Sequence, residues 1–367
     1  MKVPFVLFDE MHPFIKEKVF SHFNEIYDSG FFINGRFVRK LESAFADYCG
    51  RKYAVACSSG LAALHLATAG MGLRYGHEVI CPTNTFAATA LAAHYTGASV
   101  SFADIDPETL NMDLKSVEER VTSNTKAVMA VHMYGNPVDM GAYEKLGIPV
   151  IEDAAHAHGG DLDGRKTGSL GLVSCFSFFQ TKNMGGLSDG GMVLTDDAEL
   201  AEKMRILHDV GQKTKHDHIM MGFNYRMSEF NAAFLLEKLK MLDQWNDMRI
   251  KNASMYNNAF EEHPKIKIQK VISGGKHVYH LYVIRVKNRD ILKDKLAEDG
   301  IVTEVQYPVP IHRQKPWIEK KPPNTYCELP EAEDAAREIL SLPVFSGISE
   351  EKINYVISRV LTHVEQQ

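Results

Sequence analysis

The stretch Cys175-Phe-Ser-Phe-Phe-Gln-Thr-Lys-Asn-Met-Gly-Gly-Leu-Ser-Asp-Gly-Gly-Met192 decides how the rest of the chain is interpreted. Its apolar run, Phe176 to Phe179, is short and bounded, which is typical of a buried strand. Lys182 follows, and the glycines behind it let the backbone turn tightly and approach a ligand closely. Burial lowers the pKa of a lysine ammonium, and a neutral amine in a pocket forms a Schiff base with an aldehyde. On these residues alone, an ordinary loop lysine is the more frequent explanation.

A second segment upstream, Ile148-Pro-Val-Ile-Glu-Asp-Ala-Ala-His-Ala-His-Gly-Gly160, strengthens the catalytic interpretation. Val150 and Ile151 predict the end of a buried strand, with Asp153 at its carboxyl end. Open α/β sheets bind ligands outside the carboxyl ends of their strands. A carboxylate there can pair with the protonated pyridine nitrogen of pyridoxal 5'-phosphate (PLP), and a Schiff-base lysine with such a partner marks that cofactor. Taken alone, Asp153 is more simply a helix N-cap.

Composition limits the classes of function. The chain has 367 residues and a formal net charge of −6; the length suits two domains, and the absence of a basic stripe argues against nucleic acid as a partner. No apolar run is long enough to span a membrane, and acidic residues follow the start too soon for a signal peptide. The five cysteines form no CxxC pair, so we expect reduced thiols and a cytoplasmic protein. The triplet His216-Asp217-His218 lies beside lysines in a polar loop and is a poor metal site, so no metal is predicted.

Strand patterns alternate with helical stretches through the first part of the chain, for example at Ser99–Asp104 and Ala127–His132. This alternation predicts a mostly parallel sheet with helices on both faces. The turn Ser58-Ser-Gly60 joins a strand to a predicted helix from Leu61 to Gly70 and forms either an anion site or an ordinary helix cap. Phe86 follows the next strand, where its ring could lie on a flat ligand or belong to the core.

The pattern in the later part of the chain predicts fewer helices and strands, with longer segments between them. We expect a long helical region from Ser228 to about Glu262 and a strand from His277 to Val286. The Pro-rich stretch Lys315 to Pro323 predicts a surface loop, and Ser349 to Val364 predicts a closing helix.

In order, these segments resemble the DegT/DnrJ/StrS family of PLP-dependent sugar aminotransferases over nearly the whole chain. The motifs that carry the resemblance are the Ser-Ser-Gly turn, Pro82-Thr-Asn-Thr-Phe86, Glu152-Asp-Ala-Ala155, Ser177-Phe-Phe-Gln-Thr-Lys182, Asn224-Tyr-Arg-Met227 and Tyr307-Pro-Val-Pro-Ile-His312. The resemblance implies an α/β fold of PLP fold type I. Its large domain, residues 1–240, would hold a mostly parallel seven-stranded sheet flanked by helices, and residues 241–367 would form a smaller α+β domain.

The resemblance also implies roles around the cofactor. Lys182 would hold PLP as a Schiff base and move the proton during transfer, and Asp153 would pair with the ring nitrogen. Phe86 would stack on the ring, and His156 would contact the ring hydroxyl.

Further residues would bind the phosphate of the cofactor and the substrate. The residues expected at the phosphate are Ser59, Gly60, Leu61, Ser177 and Asn224, the last reaching the partner subunit's site across a homodimer interface. The residues expected at the substrate are Asp189, Gln306, His312 and Arg313.

Three positions depart from the commonest family pattern. Leu61 stands where threonine is usual, so only its backbone amide can serve the phosphate. His156 stands where glutamine often contacts the ring hydroxyl. Gln306 replaces the histidine of a His-Tyr-Pro motif, which makes the wall facing the substrate less cationic than in many relatives.

The resemblance implies transfer of an amino group from glutamate, which leaves as 2-oxoglutarate, to a nucleotide-linked keto sugar. The tail Asn183–Gly191 is more similar to members that aminate C-3 than to those that act at C-4. The alternatives are a C-4 or cyclitol aminotransferase and a PLP-dependent sugar dehydratase, although Lys182 disfavours the lysine-free dehydratase branch. A PLP-binding regulatory protein is the non-enzymatic alternative.

Overall fold

The computed structural model describes residues 1–8, 11–320 and 328–366. Its strands are β1 (Tyr53–Cys57), β2 (Glu78–Pro82), β3 (Ser99–Ala103), β4 (Thr125–Val131), β5 (Val150–Asp153), β6 (Asp161–Leu162), β7 (Arg165–Lys166), β8 (Val173–Ser177), β9 (Gly191–Thr195), β10 (Gln212–Thr214), β11 (Asp217–His218), β12 (Lys267–Ile268), β13 (Gly275–Lys276), β14 (Tyr282–Arg285) and β15 (Ile339–Leu342).

The α-helices are α1 (Lys16–Ser29), α2 (Arg36–Cys49), α3 (Gly60–Gly70), α4 (Ala88–Tyr95), α5 (Leu114–Glu118), α6 (Met140–Glu144), α7 (Ala198–His208), α8 (Glu229–Leu239), α9 (Leu242–Phe260), α10 (Arg289–Glu298), α11 (Lys315–Lys320), α12 (Pro330–Glu338) and α13 (Glu350–Glu365). Short 3-10 turns cover His12–Phe14, Met133–Gly135 and Ile311–Arg313. No helix of the described residues combines the length and apolarity needed to cross a bilayer.

Seven strands form the large sheet, in the order β1-β9-β8-β5-β4-β2-β3. The strands from β8 to β3 in this order run parallel, and only β9 is antiparallel to both of its neighbours. The predicted mostly parallel, seven-stranded sheet is therefore confirmed. Because β4, β5 and β8 point the same way, the residues that follow them meet along one edge of the sheet.

Helices cover both faces of the large sheet, as expected for parallel strands. The alternation along β1 shows how the sequence achieves this. Val55 and Cys57 belong to the core that contains α3, whereas Ala54 and Ala56 belong to the core that contains α2 and α8. Each face thus buries its own apolar layer, which holds the carboxyl edge of the sheet in place.

A second core surrounds the antiparallel sheet β12-β14-β15 and includes residues of α9, α10 and α13. Val3, near the start of the chain, pairs with Ile301 and belongs to this second core. Helix α8 packs on α2 of the large unit, while α9 packs on α13. A domain division at residues 240 and 241 stays a prediction that this packing supports.

Several local expectations differ from the structure. The helical region after Ser228 is two helices, α8 and α9, rather than one. The strand expected from His277 is limited to β14, because Tyr279 adopts a positive φ of 42° that interrupts an extended backbone. Lys315–Lys320 forms helix α11 rather than a loop, and residues 321–323 of that predicted loop lie outside the described residues.

The cysteines in the described part of the chain, at positions 49, 57, 81 and 175, are buried free thiols. Burial raises the pKa of each thiol, which keeps the unreactive protonated form at neutral pH. Cys327 lies outside the described residues.

Candidate active site

The carboxyl edge of the large sheet opens into a cavity of about 670 Å³. The cavity brings together most of the site residues expected from the sequence: Ser59, Gly60, Leu61, Phe86, Asp153, His156, Ser177, Lys182, Asp189 and Gln306. They come from segments far apart in the chain, and the parallel strands assemble them at one edge. Residues of the second core, including Leu342 and Phe345, close the other side.

Asp153 is the last residue of β5, and its side chain lies at the base of the cavity with only 3% exposure. Its Oδ1 accepts a hydrogen bond from the backbone N–H of Ala155 at 3.1 Å, and its Oδ2 accepts one from the hydroxyl of Thr89 at 2.9 Å. Burial raises the pKa of this carboxyl, although the two hydrogen bonds and nearby Lys182 act in the opposite direction. A cationic group bound against Asp153 would favour the ionised form.

Lys182 lies in the loop between β8 and β9, and its side chain reaches the cavity. Burial lowers the pKa of the ammonium to about 8, and the charge of Asp153 opposes part of this shift. The Lys182 side chain is half-buried. Protein atoms surround it, and the part that remains exposed faces the cavity. The lysine thus combines access from the cavity with a large neutral fraction near neutral pH, which is what attack on an aldehyde requires.

Tight packing fixes the loop that carries Lys182. The N–H of Lys182 donates to the carbonyl of Phe179, and the N–H of Gly185 donates to the carbonyl of Lys182. A Cβ at Gly185 would lie 2.1 Å from the carbonyl oxygen of Gln180, so only glycine fits there. Nζ of the buried Lys238 then donates to the Gly185 carbonyl at 2.8 Å. These contacts orient the loop before any ligand binds.

An anion cradle lies where β1 runs into α3. The hydroxyl of Ser59 caps the helix by accepting from the N–H of Ala62 at 3.0 Å, and Gly60 begins the helix. Helix N-termini attract anions because unpaired N–H groups and the positive end of the helix dipole converge there. A Cβ at Gly60 would lie 2.6 Å from the Cβ of Ser177, so glycine lets the two segments form one cradle. At Leu61 only the backbone can contribute.

Phe86 and His156 lie beside this cradle. Phe86 keeps 59% of its surface exposed, and its ring lies 5.8 Å from that of Tyr307. Nδ1 of His156 accepts a hydrogen bond from the backbone N–H of Tyr134 at 3.3 Å, which leaves Nε2 as the protonated nitrogen. Burial, reinforced by the charge of Lys182, lowers the pKa of His156 well below its ordinary value. His156 is therefore a neutral donor at physiological pH.

Three of the predicted residues do not line the cavity. Oδ1 of Asn224 accepts two hydrogen bonds from Arg226 at an exposed position. His312 is buried, and both of its ring nitrogens are occupied, Nδ1 by Thr83 at 2.6 Å and Nε2 by Glu333 at 3.1 Å. The expectation that His312 faces the substrate is therefore replaced by a structural role that ties the 311–313 turn to the large sheet.

Of the remaining residues predicted at the substrate, Arg313 lies outside the main cavity, whereas Gln306 and Asp189 line it. Arg313 pairs with Glu333 and lines a neighbouring cavity that shares Phe86 and Tyr307 with the first one. Gln306 lines the main cavity, but its Oε1 accepts a hydrogen bond from the hydroxyl of Ser341 at 2.7 Å. Asp189 is exposed to the main cavity, and its carboxylate has no hydrogen-bond partner within the described ranges.

Several residues that hold the site residues in place carry no signal in the sequence. Thr89 lies in the quoted strand-to-helix segment, but nothing in the sequence pairs it with Asp153. The sequence presents Glu152 only as part of a motif. In the structure its buried carboxylate accepts hydrogen bonds from the N–H groups of Leu170 and Gly171 and from Nε2 of His132. These bonds lower its pKa against the effect of burial and fix the end of β5 beside Asp153. Arg249 and His280 also line the cavity, but the sequence pattern predicts only that they belong to a helix and a strand.

These features test whether the residues fit PLP. A lysine with a lowered pKa shares a cavity with a buried carboxylate, and a helix N-terminus with no room for a Cβ offers an anion cradle beside an exposed aromatic ring. Each matches one chemical part of the cofactor: aldehyde, pyridine nitrogen, phosphate and flat ring. Fold and cavity together define a PLP-dependent enzyme of fold type I.

A profile of the DegT/DnrJ/EryC1/StrS aminotransferase family matches residues 13–361, and the chain belongs to this family. The family predicted from the sequence is thus confirmed, and with it PLP as the cofactor. The enzyme class, a PLP-dependent nucleotide-sugar aminotransferase, is confirmed at the level of the family.

Similar proteins cover nearly the whole chain. The chain is 41% identical over 368 residues to a pleiotropic regulatory protein of Geobacillus stearothermophilus, with 98% of each chain covered. It is 37% identical over 362 residues to the dTDP-3-amino-3,6-dideoxy-alpha-D-galactopyranose transaminase of Aneurinibacillus thermoaerophilus, again with 98% of each covered. Among solved structures, S. venezuelae DesV in complex with a ketimine intermediate superposes with a TM-score of 0.95 at 36% identity, with 99% of each chain covered.

Proposed function

We propose that this sugar aminotransferase moves the amino group of glutamate to C-3 of a nucleotide-linked 3-keto sugar, with 2-oxoglutarate as the second product. The observation that carries the proposal is the cavity in which Lys182, its pKa lowered to about 8, lies with the buried carboxylate of Asp153. The C-3 position is supported by the 3-amino sugar in the name of the Aneurinibacillus relative and by the segment 183–191 after the lysine.

When bound, PLP supplies an electron sink that labilises the Cα proton of an amino acid. Lys182 would hold the cofactor covalently and, once released, move the proton at Nζ between donor and cofactor. Asp153 would keep the pyridine nitrogen protonated, since a nearby negative charge raises the pKa of a cation. His156 would donate from Nε2 to the ring hydroxyl, and Phe86 would cover one face of the ring.

The loop after Lys182 offers a contact for the sugar through Asp189 rather than through open space at its glycines. Cβ atoms at Gly186 and Gly191 would collide with Oδ1 of Asn231 and the carbonyl of Ser59, so these glycines are required by packing rather than by an open space. Asp189 is the member of this loop that faces the cavity with a free carboxylate. We propose that it accepts hydrogen bonds from sugar hydroxyls and thereby orients the keto carbon.

Incubation with glutamate and matched 3-keto and 4-keto nucleotide sugars, followed by NMR location of the new amine, tests the position of transfer. We expect amine at C-3, because the reacting carbon must lie within near-attack distance of the nitrogen. Amine found only at C-4 would contradict the C-3 assignment and leave the aminotransferase class intact. Asp189→Asn should raise the KM for the sugar while the reaction with glutamate alone stays unchanged.

We further propose that the working unit is a cytoplasmic homodimer in which Asn224 completes the partner's phosphate site. Two observations support this arrangement: Asn224 lies outside its own cavity, and the adjoining segment exposes Met221 to 93%. Mixed Lys182→Ala and Asn224→Ala subunits should recover activity, because one of the two sites in a heterodimer is then intact. No recovery, in a mixture shown to exchange subunits, would contradict a shared site.

A second candidate, a PLP-binding regulatory protein, is favoured only by the name of the Geobacillus relative. The absorbance of the purified protein separates the two. Glutamate should convert the bound PLP to its pyridoxamine form in an aminotransferase. A bound cofactor whose absorbance glutamate leaves unchanged would support the regulatory function.

A further inference from the structure

The cavity contains a buried arginine that the reaction described so far does not use. Arg249 lies on helix α9 with 5% exposure and lines the cavity with His280 and Leu281. Helix α9 contributes Ala253 and Tyr256 to the second core, so Arg249 reaches the cavity from that part of the structure rather than from the large sheet. Burial of an arginine without an acidic partner is costly, because the guanidinium stays charged. Its presence in the wall therefore calls for an explanation.

The hydrogen bonds of Arg249 use only one edge of its guanidinium. Nη1 donates to the carbonyl of Tyr279 at 3.2 Å and to that of His280 at 3.4 Å. These two bonds hold the planar group in one orientation. Nε and Nη2 have no acceptor, and no carboxylate pairs with Arg249, within residues 1–8, 11–320 and 328–366. The side of the fork that usually binds a carboxylate with two parallel hydrogen bonds is thus left available.

The neighbours of Arg249 add no competing positive charge. Burial, together with the charges of Lys182 and Arg249, lowers the pKa of His280 well below its ordinary value, so His280 is neutral. His156 packs against His280 with ring centroids 4.7 Å apart, and burial together with the charge of Lys182 lowers its pKa well below the ordinary value, so it is neutral as well. Burial lowers the pKa of Arg249 itself only to about 10, so it remains a cation at pH 7. Besides Lys182, Arg249 is the one cation lining the described part of the cavity.

We infer that Nε and Nη2 of Arg249 bind a carboxylate of the amino donor and place its Cα near Lys182. A single cation with a planar two-donor edge matches one carboxylate better than a phosphate, which needs more donors and carries more charge. The phosphate cradle at Ser59 and Gly60 also supplies separate donors for that group. The inference rests on the proposed function, because it requires glutamate to enter this cavity.

The test separates the two halves of the reaction. The PLP-loaded protein is titrated with glutamate and followed by absorbance, and the pyridoxamine-loaded protein is titrated with the keto sugar. Arg249→Lys and Arg249→Gln should raise the half-saturating glutamate concentration by about tenfold to a hundredfold, as expected for loss of a paired hydrogen bond to a charged group. The step with the keto sugar should keep its half-saturating concentration.

Arg289→Gln is the matched control. Arg289 is also buried, with 7% exposure, and its Nη1 also donates to a backbone carbonyl, that of Ile339, but it does not line the cavity. It should leave the glutamate titration unchanged. A folded Arg249 variant with the half-saturating glutamate concentration of the wild type would overturn the inference. So would an Arg249 variant that binds less PLP but keeps that glutamate concentration unchanged.

A second measurement uses the wild-type chain and so does not depend on the folding of a variant. Glutarate, a dicarboxylate with no amine to transfer, is bound to the cofactor-free protein and measured by calorimetry. It should also protect Arg249 from modification by butanedione, as read from peptide masses. Absence of protection at saturating glutarate would contradict the site. If glutarate protects Arg249 but glutamate does not change the absorbance of bound PLP, the carboxylate site is supported. That result would contradict glutamate as the amino donor.

Discussion

The reactivity of Lys182 should depend on pH in a way that an exposed lysine does not. Burial lowers the pKa of its ammonium from 10.5 to about 8. At pH 7.5 the neutral fraction therefore rises from about one molecule in a thousand to about one in four, because each pKa unit is a tenfold change in the ratio of the two forms. We expect an amine about 200-fold more available for attack than that of an ordinary lysine.

The assay measures the amine itself, without the cofactor. Cofactor-free protein is treated with a small neutral aldehyde and a mild reductant at a series of pH values, and alkylation is quantified by peptide mass. Lys315, whose side chain is 83% exposed, serves as the internal reference. Alkylation of Lys182 should rise with pH and level off above about 8. In Asp153→Asn the midpoint should move lower, because the carboxylate that favours the ammonium is gone.

A Lys182 profile that follows that of Lys315 up to high pH would refute the argument from burial. A midpoint that rises in Asp153→Asn would show that the carboxylate does not stabilise the ammonium. An asparagine keeps one acceptor for the N–H of Ala155 at Oδ1, and its amide NH2 can donate to the hydroxyl oxygen of Thr89 where Oδ2 of Asp153 accepted a hydrogen bond. Circular dichroism of the variant checks that the fold is intact.

The other expected outcomes concern the supports of the cofactor. Asp153→Asn should lower the transamination rate by orders of magnitude with the fold intact, as steady-state assays and circular dichroism can establish; near-wild-type turnover would place the acidic partner elsewhere. Thr89→Val removes the hydroxyl donor 2.9 Å from Asp153 and should lower kcat by about tenfold, with Thr89→Ser restoring it. Gly60→Ala places a Cβ 2.6 Å from that of Ser177 and should weaken PLP retention on dialysis, and unchanged retention would argue against the cradle.

The sequence predicted the parts of the molecule whose signals are local. The apolar pattern predicts β5, whereas the strand expected at Phe176 to Phe179 is observed earlier, as β8 at Val173–Ser177. The motifs place Asp153 and Lys182 at the edge where these strands end. Helix α3 begins where the Ser-Ser-Gly turn suggested, because the Ser59 hydroxyl caps it. These features depend on residues close together in the chain, so their pattern carries the information.

The features of the site that the sequence does not predict depend on contacts between distant segments of the chain. Thr89 and Asp153 meet only because β2 and β5 lie in the same sheet, and Arg249 reaches the cavity only because α9 packs with the second core. His312 belongs to a family motif, but its contacts with Thr83 and Glu333 turn it away from the cavity. The sequence predicts that the glycines after Lys182 allow a tight turn and close approach to a ligand. The structure adds that Asn231 and Ser59 leave no room for a Cβ at Gly186 and Gly191, and no local pattern reveals these neighbours.

Isotope transfer tests directly whether an amino group passes from glutamate to a sugar through one cavity. The PLP-loaded protein is incubated with [15N]glutamate and a 3-keto nucleotide sugar, and the sugar product is analysed by mass spectrometry and NMR. We expect 15N on C-3 of the sugar and an equal amount of 2-oxoglutarate, both lost in Lys182→Ala. Formation of 2-oxoglutarate with no label in any member of a panel of nucleotide-linked keto sugars would contradict transfer of the amino group to a sugar.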